Sequence, residues 1–458
     1  MGNQHSSELP PYYNADPTNE ATHHTLSRYT DLASDALGSN IVAVSDEFFA
    51  EAKNLIKPAA PIQDKARMTD QGAWYDGWET RRHNPKHDWV IIRLGYAGTI
   101  AGFDIDTAYF DGNHAPEASV EACFVAEDDN KDPQDYPWVE VLPKVPLGPS
   151  SQHLLALWNP PTEVFNHVRL NIYPDGGVAR FRVFGNVKPR WSLMSAETIL
   201  DLAAVGHGGR AVACSNAHFS AMGNLLLPGR GISMKDGWET ARSREENHSD
   251  WVVVRLGITG YLHRVELDTY QFKGNFPQAA SLQACYSLQD NPEDDPDCFW
   301  FQVLPKSRLE GHQLHEFPVE LKDQPFTHVK LSIYPDGGIK RLRVFGRRCT
   351  EHEVKKCLQE REPLASSSVV MEEVTTTTTT TLVAVVDDKP SGVSSQASPR
   401  KPAKSGTPKK SSKNFRPRED DDNDEDYVTV GASSGSRRNS SASGSATPKR
   451  AKKSKTRV

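Results

Sequence analysis

The sequence is poor in the features that announce a metal, a membrane or a nucleotide. Only six cysteines occur in 458 residues (Cys123, Cys214, Cys285, Cys298, Cys349 and Cys357), and none stands in a CxxC or Cys/His metal spacing. That argues against a zinc-ribbon or a disulfide scaffold. No apolar run approaches the ~20 residues that a membrane-spanning helix needs, and no charged-then-apolar signal sequence opens the chain. The expectation is a cytoplasmic protein in a reducing compartment, with no membrane partner and no glycan on the Asn247-His248-Ser249 sequon. A serine-hydrolase elbow, HExxH, a phosphate-cradling P-loop and a dinucleotide fingerprint are all missing, which removes the reaction classes that depend on them. Basic charge is scarce outside the C-terminal end. Pro399 to Val458 holds 16 Lys+Arg against 7 Asp+Glu, and the rest of the chain, with 37 against 53, carries −16. An acidic body is a poor reader of phosphates, so no nucleic acid is expected on the folded part. The basic end leaves entry to the nucleus open.

What the chain does contain is an internal copy of itself. Asp76-Gly77-Trp78-Glu79-Thr80 returns unchanged as Asp236-Gly237-Trp238-Glu239-Thr240, each with an arginine two places on, Arg82 and Arg242. HDWVIIRLG ending at Gly95 answers SDWVVVRLG ending at Gly257, and NIYPDGGVARFRVFG (171–185) answers SIYPDGGIKRLRVFG (332–346). FDIDT, Gly112-Asn113, SVEACF and VLPK each have their counterpart. The offset through these motifs stays between 160 and 162 residues, so the copies should differ only by small loop insertions. Asp31-Leu32-Ala33 matches Asp201-Leu202-Ala203 ahead of them. A period this long means two tandem domains and not a solenoid of small units. The boundaries read as a flexible N-terminal arm over 1–27, repeats over 28–188 and 189–350, and a low-complexity tail over 351–458. The tail holds a run of seven threonines, an acidic block and a basic end. It cannot bury enough apolar area to offset its ordering entropy and reads as disordered, apart from a short helix over Glu353 to Glu362. Met1-Gly2-Asn3-Gln4-His5-Ser6 fits the N-myristoylation pattern, though one acyl chain without a basic cluster anchors only marginally.

The strands are legible within each copy. Trp89 to Leu94 is an apolar run broken only by Arg93, as in a central strand of a sandwich. Phe103, Ile105 and Thr107 alternate with Asp104 and Asp106, as in a half-buried strand. Pro174-Asp175-Gly176-Gly177 predicts a tight hairpin between the strands on either side, with Arg169, Asn171, Arg180 and Arg182 sharing its polar face. Cys123 and Cys285 hold equivalent strand positions and read as small buried thiols. Short strands, turn signals, 31 glycines and 31 prolines predict an all-β protein with an antiparallel sandwich in each half.

The polar residues that both copies keep are Asp76/Asp236, Glu79/Glu239, Arg82/Arg242, Asp88/Asp250, Arg93/Arg255, Asp106/Asp268, Asn113/Asn275, His167/His328 and Asp175/Asp336. Most have structural tasks available. Asp175 and Asp336 form turns, Asp88 and Asp250 close turns before strands, and Arg93 with Asp106 makes an ion pair. Glu79 and Arg82 have no evident backbone task, which leaves function as the alternative.

These motifs resemble the allantoicase (allantoate amidinohydrolase) family, from about Arg28 to Arg347, with arm and tail outside the likeness. The resemblance implies two tandem jelly-roll sandwiches, similar to galactose-binding and discoidin-type domains, produced by an internal duplication. It also implies a homo-oligomer and the hydrolysis of allantoate to ureidoglycolate and urea in purine degradation. SREENHSDW departs from HNPKHDW and displaces the histidine in the second copy. Allantoate carries a carboxylate and two ureido groups on one carbon. The carboxylate calls for an arginine, and departure of urea calls for an acid on the leaving nitrogen and a base for water. By that chemistry Glu79, Arg82, His87 and Asp88, with Glu239, Arg242 and Asp250, are the catalytic candidates. Asn113, Asn275, Arg93 and Arg255 are the substrate-binding ones. No cofactor is expected. Were a divalent metal to take part, Asp76, Glu79, His83 and His87 would be its hard ligands. Two other classes stay open: a non-catalytic intracellular ligand-binding sandwich, and a nuclear or RNA-associated protein acting through its tail.

Overall fold

The computed structural model describes residues 11–15, 26, 28–319, 321 and 323–361. The expected tail from residue 362 onward and the acylation motif lie outside the described residues. One 19-residue strand, Asp88–Asp106, organises the first repeat. Its first half lies between Asn40–Val44 and Phe165–Tyr173, with Val90 and Ile92 facing Val44 and Ile41 on one side and Leu170 and Val168 on the other. Glu117–Cys123 and Val139–Pro146 extend that layer. Its second half lies between Gln152–Leu157 and Arg180–Val187, with Phe103 facing Leu155 and Val183. The two expected strands, one from Trp89 and one from Phe103, are therefore a single strand shared by both layers. The bend falls where Gly98 passes the other chain so closely that an added Cβ would sit 2.5 Å from the Asn186 carbonyl, and the register of Phe165–Tyr173 slips beside it. Sandwich corners are built this way. All these ladders are antiparallel, and their inner faces meet in a core of Trp78, Val90, Ile92, Phe103, Ile105, Val168, Leu170, Phe181 and Val183.

The second repeat is built alike around Asp250–Asp268. That strand pairs with Arg210–Cys214 and Phe326–Tyr334 in one layer and with Leu314–Pro318 and Arg341–Arg348 in the other. Trp78 and Trp238 are both fully buried, and both indole N–H groups donate to a loop carbonyl at 2.8 Å, of Asp46 and of Asn216. Both Tyr-Pro bonds, before Pro174 and Pro335, are cis. Cys123 and Cys285 face His167 and His328 at equivalent registers, and burial pushes the Cys123 thiol up to about 12.

Three expectations need correction. Tyr12–Asn14 is a strand on the edge of the first repeat, pairing with Leu155 to Leu157, and Ala15 and Leu26 are buried on the outer face of that layer. The expected arm is thus partly docked, and each fully buried leucine there contributes about 1.5–3 kcal/mol. Pro174 to Ala179 is not a hairpin turn. Phe165–Tyr173 and Arg180–Val187 belong to different layers, and the crossing between them pairs Gly177 and Val178 with Glu79 and Trp78. Consequently the four polar residues do not share one face. Arg169 and Asn171 bind Glu121, whereas Arg180 is 1 % exposed and donates to the Asp76 carboxylate at 2.6 Å and to the Ala59 carbonyl at 2.8 Å. Arg93 and Asp106 lie in opposite layers and form no pair. Arg93 donates to Asn40 at 2.9 Å, and Asp106 accepts the Ala108 N–H at 2.7 Å. Glu351–Arg361 is the short helix, opened by a reciprocal Thr350–Glu353 cap.

Candidate active site

The repeated pentapeptide is held in place by all but one of its side chains. Gly77 lies so close to the Val178 carbonyl and the Phe110 ring that a Cβ would come within 2.6 and 2.7 Å of them, so only glycine fits. Trp78 is the buried anchor. Asp76 accepts from Lys57 at 2.8 Å, Arg180 at 2.6 Å and the Ile62 N–H at 3.1 Å. Burial alone would raise its pKa, but the two cations hold it below the usual carboxylate range. With Lys57 and Arg180 already neutralising its charge, Asp76 is a poor ligand for a divalent metal. Thr80 accepts the Gly176 N–H on its hydroxyl at 3.1 Å. Glu79 is the exception.

Glu79 is 7 % exposed. Its backbone is fixed on both sides, by Gly177 in a short ladder and by Ala50 in an isolated bridge. Its Oε1 accepts the Asn113 side-chain N–H at 2.8 Å, and among the described residues no side chain donates to Oε2. Asn113 is itself positioned, since its carbonyl accepts the Gly177 N–H at 2.7 Å. Burial raises the Glu79 pKa, against the lowering effects of Asn113 and of the Arg82 charge. The carboxyl borders a cavity of about 380 Å³ lined by Phe49, Gln71, Ala73, Tyr75, Glu79, Gly112 and Asn113. Arg82 is not among the lining residues, but its charge acts on Glu79. Its Nη1 pairs with Asp175 at 3.1 Å, and the other oxygen of Asp175 accepts the Asn84 N–H at 3.0 Å. Asp175 is therefore more than a turn former, because it holds the loop that carries Arg82.

Other candidates lie elsewhere. Asp88 is buried and accepts the Ser45 hydroxyl at 2.8 Å, while Ser45 accepts the Trp89 N–H. This clasp at the start of the strand leaves no catalytic pairing with His87. The His87 ring rests on Tyr173 at 5.0 Å, and burial and Arg169 lower its pKa, so it is neutral at pH 7. Asp250 repeats the clasp with Ser215 at 2.7 Å, and the displaced histidine, His248, comes within 3.3 Å of its free oxygen. Arg93 sits five residues along the strand from Asp88, about 16 Å away. It borders a separate cleft of about 1620 Å³ with His167, whose pKa burial pushes down to about 4. Arg255 pairs with Asp290 at 2.6 Å. Neither arginine is brought to the Glu79 cavity.

The pentapeptide of the second copy has the same frame and a different outlook. Asn275 donates to Glu239 at 2.5 Å. Glu239 is half-buried, and the Met234 sulfur lies 3.7 Å from the same amide nitrogen. Arg242 is exposed, and Asp336 binds the Ser243 N–H at 2.8 Å in its neighbourhood.

Gln71, Tyr75 and Phe49 were not among the expected residues, because the candidates were polar residues drawn mainly from those both copies keep: Gln71 and Tyr75 are not repeated, and Phe49 is apolar. A signal did exist. Leu32, Phe49 and Ile56 precede their counterparts Leu202, Phe219 and Leu226 by 170 residues, whereas Asp76 precedes Asp236 by 160. The first copy thus holds ten extra residues before its pentapeptide, more than the small insertions expected. They include the hairpin of Met68–Thr69 and Gly72–Ala73 that walls the cavity.

The family described as Allantoicase repeat matches residues 30–188 and 200–349. The chain is 50% identical to the allantoicase of Neurospora crassa over 69% of its own length and 91% of the relative's. It is 45% identical to that of Saccharomyces cerevisiae over 70% and 94%. The crystal structure of the Saccharomyces cerevisiae allantoicase matches with a TM-score of 0.65 at 42% identity, over 73% of this chain and 99% of that one.

Proposed function

This chain belongs to the allantoicase family and hydrolyses allantoate to ureidoglycolate and urea, and from that premise we propose that Glu79 is the group that drives the reaction. The observation that supports it is a buried carboxyl on a cavity wall, one oxygen steadied by Asn113 and the other without a side-chain donor among the described residues. With its pKa raised by burial, Glu79 can hold a proton for the leaving group. It gives that proton to the ureido nitrogen attached to the central carbon, and the C–N bond breaks with its electron pair on nitrogen, releasing urea. The remaining ureido nitrogen shares the positive charge left on carbon, and the carboxylate just formed lies beside it. Water then adds to that carbon to form the C–O bond of ureidoglycolate, and Glu79 takes its extra proton back. Arg82, held by Asp175 and close enough for its charge to act on Glu79, meets the substrate carboxylate. Asn113 keeps Glu79 aimed.

Glu79→Gln tests this directly. Urea release from allantoate should fall by about a hundredfold or more in kcat, the usual effect of losing a general acid, while the fold persists. A variant with the wild-type rate would refute the assignment. A homo-oligomer in the cytoplasm is part of the same proposal. Ile62 and Met68, both largely exposed near the cavity, support the assembly, which light scattering of the purified protein tests.

A further inference from the structure

The two pentapeptides are identical in sequence, yet they do not face the same surroundings. In the first repeat nineteen residues separate Ile56 from Asp76, and in the second nine separate Leu226 from Asp236. The longer segment supplies the hairpin whose Gln71 and Ala73, with Tyr75 just after it, form one side of the cavity. Tyr75 is stiffened by stacking on Phe110 at 4.9 Å. The shorter segment has no residues from which to build that wall. It closes instead in a single turn over Met234–Asp236, which leaves the Met234 thioether against the amide of Asn275, the partner of Glu239. The arginine differs too: Arg82 is tied to Asp175, and Arg242 has no such tie to Asp336.

We propose that each chain carries one working site, in the first repeat, and that the inserted hairpin makes it one, with Gln71 as the residue that binds the retained ureido group. This rests on the reading of Glu79 given above. A glutamine side chain offers one carbonyl and one NH2, and a ureido group offers the complementary pair. Gln71 lines the same cavity as Glu79, and among the described residues its side chain makes no hydrogen bond of its own. The second copy keeps Glu239 and Asn275 as a frame for its loop, with the Met234 thioether against Asn275 and no inserted hairpin beside them.

The test compares Glu79→Gln, Glu239→Gln and Gln71→Ala in the full chain, following urea release and folded content by circular dichroism and Tm. Glu239→Gln should keep kcat and KM within about twofold, the proposal placing this residue outside the reacting atoms. Gln71→Ala should raise KM by about tenfold, as for one lost hydrogen-bonding partner. Allantoate titrated into the slow Glu79→Gln variant should bind at one equivalent per chain. If Glu239→Gln loses activity as Glu79→Gln does while remaining folded, or if two equivalents bind, the single-site proposal is overturned and the reading of Glu79 stands. If Gln71→Ala leaves KM unchanged, the role of the hairpin is overturned. Should Glu79→Gln alone keep full activity, the reading of Glu79 fails, and this inference with it.

Discussion

Replacing Asn113 by leucine removes one hydrogen bond and little else. The two side chains have the same branching, and the backbone contact that fixes this loop, from the Gly177 N–H to the Asn113 carbonyl, does not involve the side chain. The lost bond, 2.8 Å from the Asn113 amide to Glu79 Oε1, favours the ionised carboxylate and lowers the Glu79 pKa against the raising effect of burial. A hydrogen bond to a charged group contributes about 1.5–3 kcal/mol, so without it the Glu79 pKa should climb further. The first step needs protonated Glu79, so kcat/KM falls as pH rises through that pKa. In Asn113→Leu the alkaline limb of the pH profile should therefore move to higher pH. Urea release measured at subsaturating allantoate across pH, with Tm as the control for folding, gives the answer. An alkaline limb that stays in place, or moves to lower pH, would refute the claim that Glu79 works as an acid held by Asn113.

Three further outcomes are expected. Arg82→Ala should lower kcat/KM by roughly a hundredfold, about 3 kcal/mol for a lost charged contact to the substrate carboxylate, with Tm nearly unchanged because the side chain is exposed. Arg180→Met takes the buried donor from the Asp76 and Ala179 carbonyls and leaves the Asp76 carboxylate with Lys57 as its cation, and chemical denaturation should show a loss of about 1–3 kcal/mol. Asp104, with its pKa raised from 3.8 to about 7 by burial, is 3 % exposed, and Gln152, Asp106, Arg182 and Asp31 lie about it. Its folded pKa exceeds its unfolded one, so its contribution is fully present below pH 3.8 and is lost as pH rises through about 7. Asp104→Asn should flatten the pH dependence of stability across that window, by up to about 4 kcal/mol. An unchanged slope in denaturation series at several pH values would contradict it.

Much of this could be read from residues alone, for identifiable reasons. The duplication paired Trp78 with Trp238 and Pro174 with Pro335, because identical side chains in identical frames need the same burial. Alternation of period two assigns Phe103 and Ile105 to one face of a strand, but it is silent on whether something covers the other face. Ala15 and Leu26 pack on part of it, and Asp104, with Gln152, Arg182 and Asp31 about it, is buried and not half-exposed. Arg180 misled for a similar reason: a charged residue is read as outward-facing until its partner, 104 positions away, is known. The cavity wall stayed hidden because attention to what the copies share passes over what one of them adds. Arg93 and Arg255 are kept in both halves, and they serve neighbours within the sheet.

A strand that belongs to both layers has a kinetic consequence. Neither layer of the first repeat can peel away alone, because opening either one strips partners from Asp88–Asp106 and loosens the other. Local opening should then be confined to the rims, such as the Met68–Thr69 hairpin, while the amides from Val90 to Ile105 exchange with solvent deuterium only when the whole repeat unfolds. Asp250–Asp268 has the same place in the second repeat. The slowest-exchanging protons of the molecule should trace two lines, one through each half, with the pentapeptide loops anchored beside them.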